Sequence, residues 1–350
     1  MTVKKLNAAS ALIFLIFILV GCTSQPPPTT TTIQTSQPPP QTTTLPPTTP
    51  VPTVIDKDRD GISDQTEQEL AVKFAPIVML HPTDPYRPSN ILWYLERVRL
   101  RYDVSFGLDD QLLGKGQVNI TSLLSQSDRG ESSGLSADST NFFLEQTDVI
   151  GGDNLDAYRT QTRAGTAASD WICYIHVRPA PGVGGMIDLQ YIFFYPYNGD
   201  LLPGDQLESA HEADFEHITV RVNGDGVTIY KIFYSAHGND GKWYDQASAV
   251  GAPDGYSLSD GRPVVYSAVD SHASYPWEGT WVRNNLPDDY TSSGGPSWDT
   301  VASVSNVGEK AYPAAGAEWI QYSGHWGEIG SVIFTTGPYG PAYQGWWGED

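Results

Sequence analysis

Cysteine is nearly missing from this chain: 350 residues hold two. That excludes a disulfide-stapled scaffold and any Cys-rich zinc or iron–sulfur centre. Basic residues are also scarce, 20 Lys plus Arg against 41 Asp plus Glu, for a formal net charge of −21. Bulk charge of that sign repels phosphates, so no nucleic acid partner is expected. No GxGxxG, P-loop or HExxH spacing occurs, which leaves dinucleotide and zincin readings without support. What is abundant is turn-forming, 34 Gly and 26 Pro, and aromatic, with 19 Tyr, 11 Phe and 10 Trp. At 39% hydrophobic the chain can build a core, as one large domain or two ordinary ones.

The only long apolar run is Ala11 to Val20, preceded by Lys4 and Lys5. It is shorter than the roughly 20 residues of a membrane span and reads as a secretory signal, residues 1–22. Leu19-Val20-Gly21-Cys22 resembles the lipobox of prokaryotic lipoproteins, which implies cleavage before Cys22 and lipidation of its sulfur. An ordinary signal peptide or a retained anchor is the alternative. Residues 23–55 carry 10 Pro and 12 Thr and no charge, so they read as an extended tether. At about 3.1 Å per residue it reaches roughly 100 Å. Beyond it, 18 basic residues face 41 acidic ones, a net of −23. Cys173 lies in an apolar run, where a small buried hydrophobe is expected.

Residues 56–67 read Asp-Lys-Asp-Arg-Asp-Gly-Ile-Ser-Asp-Gln-Thr-Glu. Asp56, Asp58 and Asp60 alternate along a tight turn that Gly61 permits. The Ile62 carbonyl, Asp64 and Glu67 complete an oxygen set of the number that selects Ca²⁺. The loop resembles EF-hand and, more closely, thrombospondin type 3 calcium loops. A solvated acidic turn is the bland alternative. The expectation is a structural Ca²⁺ where tether meets domain, with residues 68–350 forming that domain.

Helices are expected near residues 65–74 and after Ser89 as cap. Residues 104–165 are polar and Gly/Ser-rich and show no organisation. From residue 170 the pattern alternates with period two. Trp171, Cys173, Ile175 and Val177 share a face, and 186–195, 218–222, 227–234, 264–268 and 331–335 are further strand candidates. Short strands without βαβ alternation predict a mainly β fold, an antiparallel β-sandwich with a few short helices and long loops.

Four of the seven histidines have suggestive neighbours. With a strand starting near Asp214, Asp214 and Glu216 share a face, and His211 in the preceding turn can swing to the same point. One imidazole with two carboxylates suits a divalent cation, Ca²⁺, Mg²⁺ or Mn²⁺, with Asp200 or Asp205 as a further ligand. His237 and His272 stand at strand ends as candidate catalytic groups. The competing readings are a sheet-edge ion pair for the carboxylates and buried, satisfied histidines. Trp277, Trp281, Trp346 and Trp347 can stack on sugar faces or cap a core.

These residues carry a resemblance. Phe74-Ala75-Pro76-Ile77, His81-Pro82, Tyr86-Arg87-Pro88-Ser89, Phe193 to Gly199, Asp214 to Arg221, Tyr234 to Gly238, Ser271 to Pro276 and Gly337 to Pro341 resemble the vacuolar protein sorting-associated protein 62 family in order, over about residues 73–350. Phe215 stands where that family commonly has Trp. A weaker similarity runs to necrosis-inducing NLP cytolysins, and implies a β-sandwich with metal ligands at His211, Asp214 and Glu216. The NLP motif's Arg and second His are absent here. The expectation is a lipid-anchored, extracytoplasmic binding protein in the cell envelope, using a cation to hold a glycan or lipid head group. The rivals are a metal-dependent envelope hydrolase and a structural envelope protein.

Overall fold

Two thirteen-residue strands, Met186–Asn198 and His211–Asn223, set the architecture, because both of their faces are buried. The structure, a computed structural model, describes residues 55–103, 109–127, 141–148, 161–199, 209–237, 241–247, 255–283, 287–330 and 333–349. Residues 1–22 with Cys22 and nearly all of the 23–55 segment lie outside the described residues. Among the described residues no helix is long and apolar enough to cross a membrane.

The two strands pair antiparallel at the centre of a six-stranded sheet, flanked by Cys173–Pro179 and Val304–Asn306 on one side and by Ile229–Tyr234 and Lys242–Tyr244 on the other. One face, with Val177, Leu189, Tyr191, Phe193, Ile218 and Val220, packs on a second sheet through Val78, Val265 and Trp298. That second sheet joins Ile77–Met79 to Arg262–Ser267 and Ser297–Asp299. The opposite face, with Tyr174, Ile192, Phe194 and Phe215, meets Leu100, Leu144, Trp319 and Trp326. A sandwich with one solvated face reads as apolar/polar alternation; here both faces are buried, polar side chains included. Pairing is mostly antiparallel, with parallel contacts between 77–79 and 264–266 and between 304–306 and 173–175.

The structure departs from expectation in four places. The first helix is Asp64–Lys73, capped by Ser63, but the second, Ile91–Leu95, is capped by Asn90 rather than Ser89, which is fully buried. Residues 104–165 are not structureless: Asp110–Leu113 and Phe142–Gln146 sandwich Val98–Tyr102 in a three-stranded sheet, and Ile120–Ser127 is helical. The pairing of 142–146 with 98–102 is non-local, which a polar, Gly-rich local pattern does not signal. Ile333–Thr335 forms a 3₁₀ turn, not a strand. His211 begins the long strand opposite Asn198 instead of sitting in a turn before it. Cys173 is free and fully buried, as its apolar context implied.

Candidate functional site

The strand His211–Asn223 keeps period two through Asp214, Glu216, Ile218 and Val220, so both carboxylates face the sheet that carries Arg262–Ser267. Upstream of Asp214 the ladder skips Pro196 and Ala213, since proline has no N–H to donate. Ala213 takes φ +58°, and its carbonyl accepts a hydrogen bond of 2.8 Å from His211 Nδ1. A carbonyl can only accept, so Nδ1 carries the proton. Burial also holds His211 below the usual imidazole range, which leaves Nε2 as the lone-pair nitrogen of a neutral ring.

Downstream segments complete the cluster. His272, fully buried in the loop between Arg262–Ser267 and Ser274–Tyr275, lies 3.0 Å from Asp214 through Nδ1 and 3.4 Å from Asp84 through Nε2. It stacks flat on Tyr195, with centroids 3.8 Å apart. Burial opposes its charge, but Asp84 and Asp214 outweigh that and push it up to about 10. Glu216 accepts 2.6 Å from Ser235 Oγ, and burial followed by the Asp214 charge drives its pKa well up. A second imidazole–carboxylate pair adjoins: His237 Nε2 is 2.7 Å from Asp289, which also accepts from Ser271 Oγ at 2.8 Å and Tyr275 Oη at 2.6 Å. Burial alone would raise Asp289, yet these donors hold it below the usual carboxylate range.

Of seven described non-glycine residues with positive φ, five (Ala213, Ala236, His237, Asp270 and His272) stand at this end, where backbone strain is concentrated. A cleft of about 400 Å³ opens beside it, walled by Tyr234, Ala236, Tyr244, Tyr275, Trp277 and Trp281, with Lys242 and Arg283 on its lining. Trp281 stacks on Tyr275 at 4.3 Å and lies 4.4 Å from Trp277. The other two tryptophans divide from this pair: Trp346 covers His217 at 4.1 Å and Trp347 covers His176 at 3.8 Å, capping the central sheet.

The structure thus unites Asp214, Glu216 and His272, and places His237 next to them on Asp289. Asp200 and Asp205 lie outside the described residues. The donor set suits a hard cation in type, and Asp84 Oδ2 and His272 Nε2 are buried without a hydrogen-bond partner. Against that, the His272 imidazolium already stands between two of the carboxylates. Sequence reasoning missed Asp84, between two prolines in His81-Pro82-Thr83-Asp84-Pro85-Tyr86, and Asp289, which no local pattern marks.

The loop 56–67 forms a second cluster. Asp56, Asp58 and Asp60 each offer an oxygen within 4.8 Å of the others, the one such His/Cys/Asp/Glu group among the described residues. Asp56 accepts from the Arg59 and Gly61 amides, and Asp60 from the Ile62 amide. Gly61 has φ +95°, as the bend requires. Burial, and then neighbouring carboxylates, push Asp60 up to about 6 and Glu67 up to about 9. Asp64 instead turns to Lys57, 2.6 Å from its ammonium.

The family model for vacuolar protein sorting-associated protein 62 matches residues 61–331. The chain belongs to that family. The match takes in Asp84, Asp214, Glu216, His237, His272 and Asp289, so the whole cluster lies inside what defines a vacuolar protein sorting-associated protein 62 family member. It begins at Gly61, twelve residues before the resemblance read from sequence, so seven of the acidic loop's twelve residues, but not Asp56, Asp58 or Asp60, belong to the family span, and it ends before Gly337. No curated protein matches the chain. Similar solved structures include "Necrosis and Ethylene inducing Protein 2 from the causal agent of cocoa's Witches Broom disease", 14% identical over 77% of this chain and 87% of that one, with a TM-score of 0.37. Another is "NLPPya in complex with mannosamine", 12% identical over 81% and 90%, with a TM-score of 0.35.

Proposed function

We propose that this family member is an extracytoplasmic, lipid-anchored binding protein whose ligand is a polar ring compound, a glycan or a lipid head group. The ligand rests in the Trp277/Trp281 cleft, and a divalent cation shared by Asp214 and Glu216, with His211 Nε2 as a further donor, bridges it to the protein. The observation that carries the reading is the cleft's position: Tyr275 lines it and donates its hydroxyl to Asp289, while Tyr234 and Ala236 line it on either side of Ser235, which holds Glu216. Flat indole faces match the C–H faces of a sugar ring, and Lys242 and Arg283 suit its anionic substituents. The cation supplies a charge that ligand hydroxyl or phosphate oxygens can share. The membrane anchor rests on Leu19 to Cys22 and the Pro/Thr tether.

The test is retention of the purified full chain on immobilised glycans and on liposomes, with Ca²⁺, Mg²⁺ or Mn²⁺ against EDTA. Trp277→Ala/Trp281→Ala and Asp214→Asn/Glu216→Gln should each abolish retention. Loss in the tryptophan variant alone would remove the cation from the reading, and full retention by both would sink it.

The His237–Asp289 contact specifically favours a hydrolase as second reading, since a half-buried imidazole backed by a carboxylate is built as a general base. His272 is not that base, because both its nitrogens face carboxylates and it stays protonated. Turnover of ester, phosphodiester or glycoside probes that His237→Gln abolishes while ligand retention persists would favour it over simple binding.

A further inference from the structure

The loop at the N-terminal edge is a cluster of carboxylates that the ligand site does not use. Four of its oxygens are not satisfied by the protein. Asp58, 6% exposed, has both carboxylate oxygens buried without a hydrogen-bond partner. Glu67, 2% exposed, keeps Oε1 in the same condition, while its Oε2 accepts from Asn306 Nδ2 at 3.2 Å. Asp60 Oδ2 is a fourth such oxygen. Buried carboxylate oxygens left bare are costly, and a hard cation is the chemistry that satisfies several of them together.

The cluster has a wall from far along the chain. The hairpin Gly308–Glu309 with Tyr312–Pro313 packs against it: a Cβ on Gly308 would touch the Asp58 Cβ at 3.4 Å, and Tyr312 takes Arg59 over its ring at 4.2 Å. Glu309 is close enough to act electrostatically on both Asp58 and Asp60. Its other side is fixed, since His176 Nε2 from the central sheet lies 3.0 Å from Glu309 Oε1. Carboxylates that ligate a metal are themselves commonly held by a hydrogen bond from behind.

We propose that residues 56–67 and Glu309 together form a Ca²⁺ clasp, with Asp56, Asp58, Asp60 and Glu67 from the loop and Glu309 from the hairpin packed against it. The ion fastens the point where the chain enters the domain to the sheet carrying His176 and Asn306. The clasp does not depend on the ligand reading. Glu309 goes beyond the twelve-residue pattern, because a loop that only followed its own spacing would be complete without it.

Calorimetric Ca²⁺ titration of the full chain tests this in an Asp214→Asn/Glu216→Gln background, so that the strand-end cluster contributes nothing. One equivalent should bind, Asp58→Asn/Asp60→Asn should abolish it, and Glu309→Gln should weaken it by about 10- to 100-fold. Trypsin gives a second readout, because Lys57 and Arg59 lie within the loop: Ca²⁺ should slow cleavage there in the parent and not in Asp58→Asn/Asp60→Asn. No Ca²⁺ heat in the parent would overturn the site. Equal affinity in Glu309→Gln would overturn the clasp and leave an ordinary acidic loop.

Discussion

The chain contains two acidic clusters, and they are satisfied in opposite ways. At the strand ends, Asp84, Asp214, Glu216 and Asp289 come from three separate segments and are met by His237, His272, Ser235, Ser271, Tyr275 and Asn198. In the loop, Asp56, Asp58 and Asp60 come from five consecutive residues, and Asp58 finds no donor at all. The first cluster has an imidazole built in by the fold between Asp84 and Asp214. The second leaves its counter-charge to come from solution. The same residue type therefore stabilises one end of the domain and strains the other until an ion arrives.

The sharpest way to break that contrast is to remove one group from each side in EDTA. His272→Leu leaves Asp84 and Asp214 buried without their imidazolium and should cost about 3–5 kcal/mol in urea unfolding. Asp58→Asn under the same conditions should leave the midpoint unchanged or raise it, because it relieves crowding among like charges. Adding Ca²⁺ should reverse that order for Asp58, since only the native carboxylate gains the ion's binding energy. A loss in EDTA as large as that of His272→Leu would show that the loop carboxylates have protein partners after all.

What was legible in the sequence follows from the same contrast. The loop's turn was legible because its signal is local: alternate aspartates, a glycine at the bend and a glutamate at position twelve are one stretch of chain. Asp214 and Glu216 were legible as a pair, since period two puts them on one face. The partner His272 was visible only as a strand-end histidine, and Asp84 and Asp289 were not visible at all. Their proximity is made by the parallel pairing of 77–79 with 264–266 and the hairpin of 279–281 with 289–291, which no local period encodes. The fold divides likewise. Parts of the long central strands, 186–195 and 218–222, were legible, whereas the sheet formed by residues 98–102, 110–113 and 142–146 was lost in polar, Gly-rich sequence.

Acid sharpens the contrast with a smaller effect. Asp289 has a folded-state pKa below its unfolded value of about 3.9, so its contribution is complete above that pH and is lost as the pH falls through the folded-state value. The stability gap between wild type and Asp289→Asn should therefore be constant near neutrality and narrow below about pH 4. Urea midpoints at a series of pH values measure it, and a gap that stays level down to pH 2 would mean that Asp289 acts through packing and not through its charge.

The smallest expected effect lies within the loop itself. Position nine of a twelve-residue calcium loop supplies a ligand directly or through water, and on spacing alone Asp64 should weaken Ca²⁺ when neutralised. In the structure Asp64 is instead the first residue of the helix, where its Oδ1 accepts from the Lys57 amide at 2.8 Å and its Oδ2 pairs with the exposed Lys57 ammonium. Both carboxylate oxygens are thus engaged at the surface, away from the bare oxygens of Asp58 and Glu67, and an exposed pair of this kind contributes little. Asp64→Asn should change Ca²⁺ affinity by no more than about twofold, the scale of a surface ion pair, while Glu309→Gln, 245 residues away, should change it far more. The reverse order would mean that the ion is held by the loop's own spacing and that the contact with the sheet edge only accompanies it.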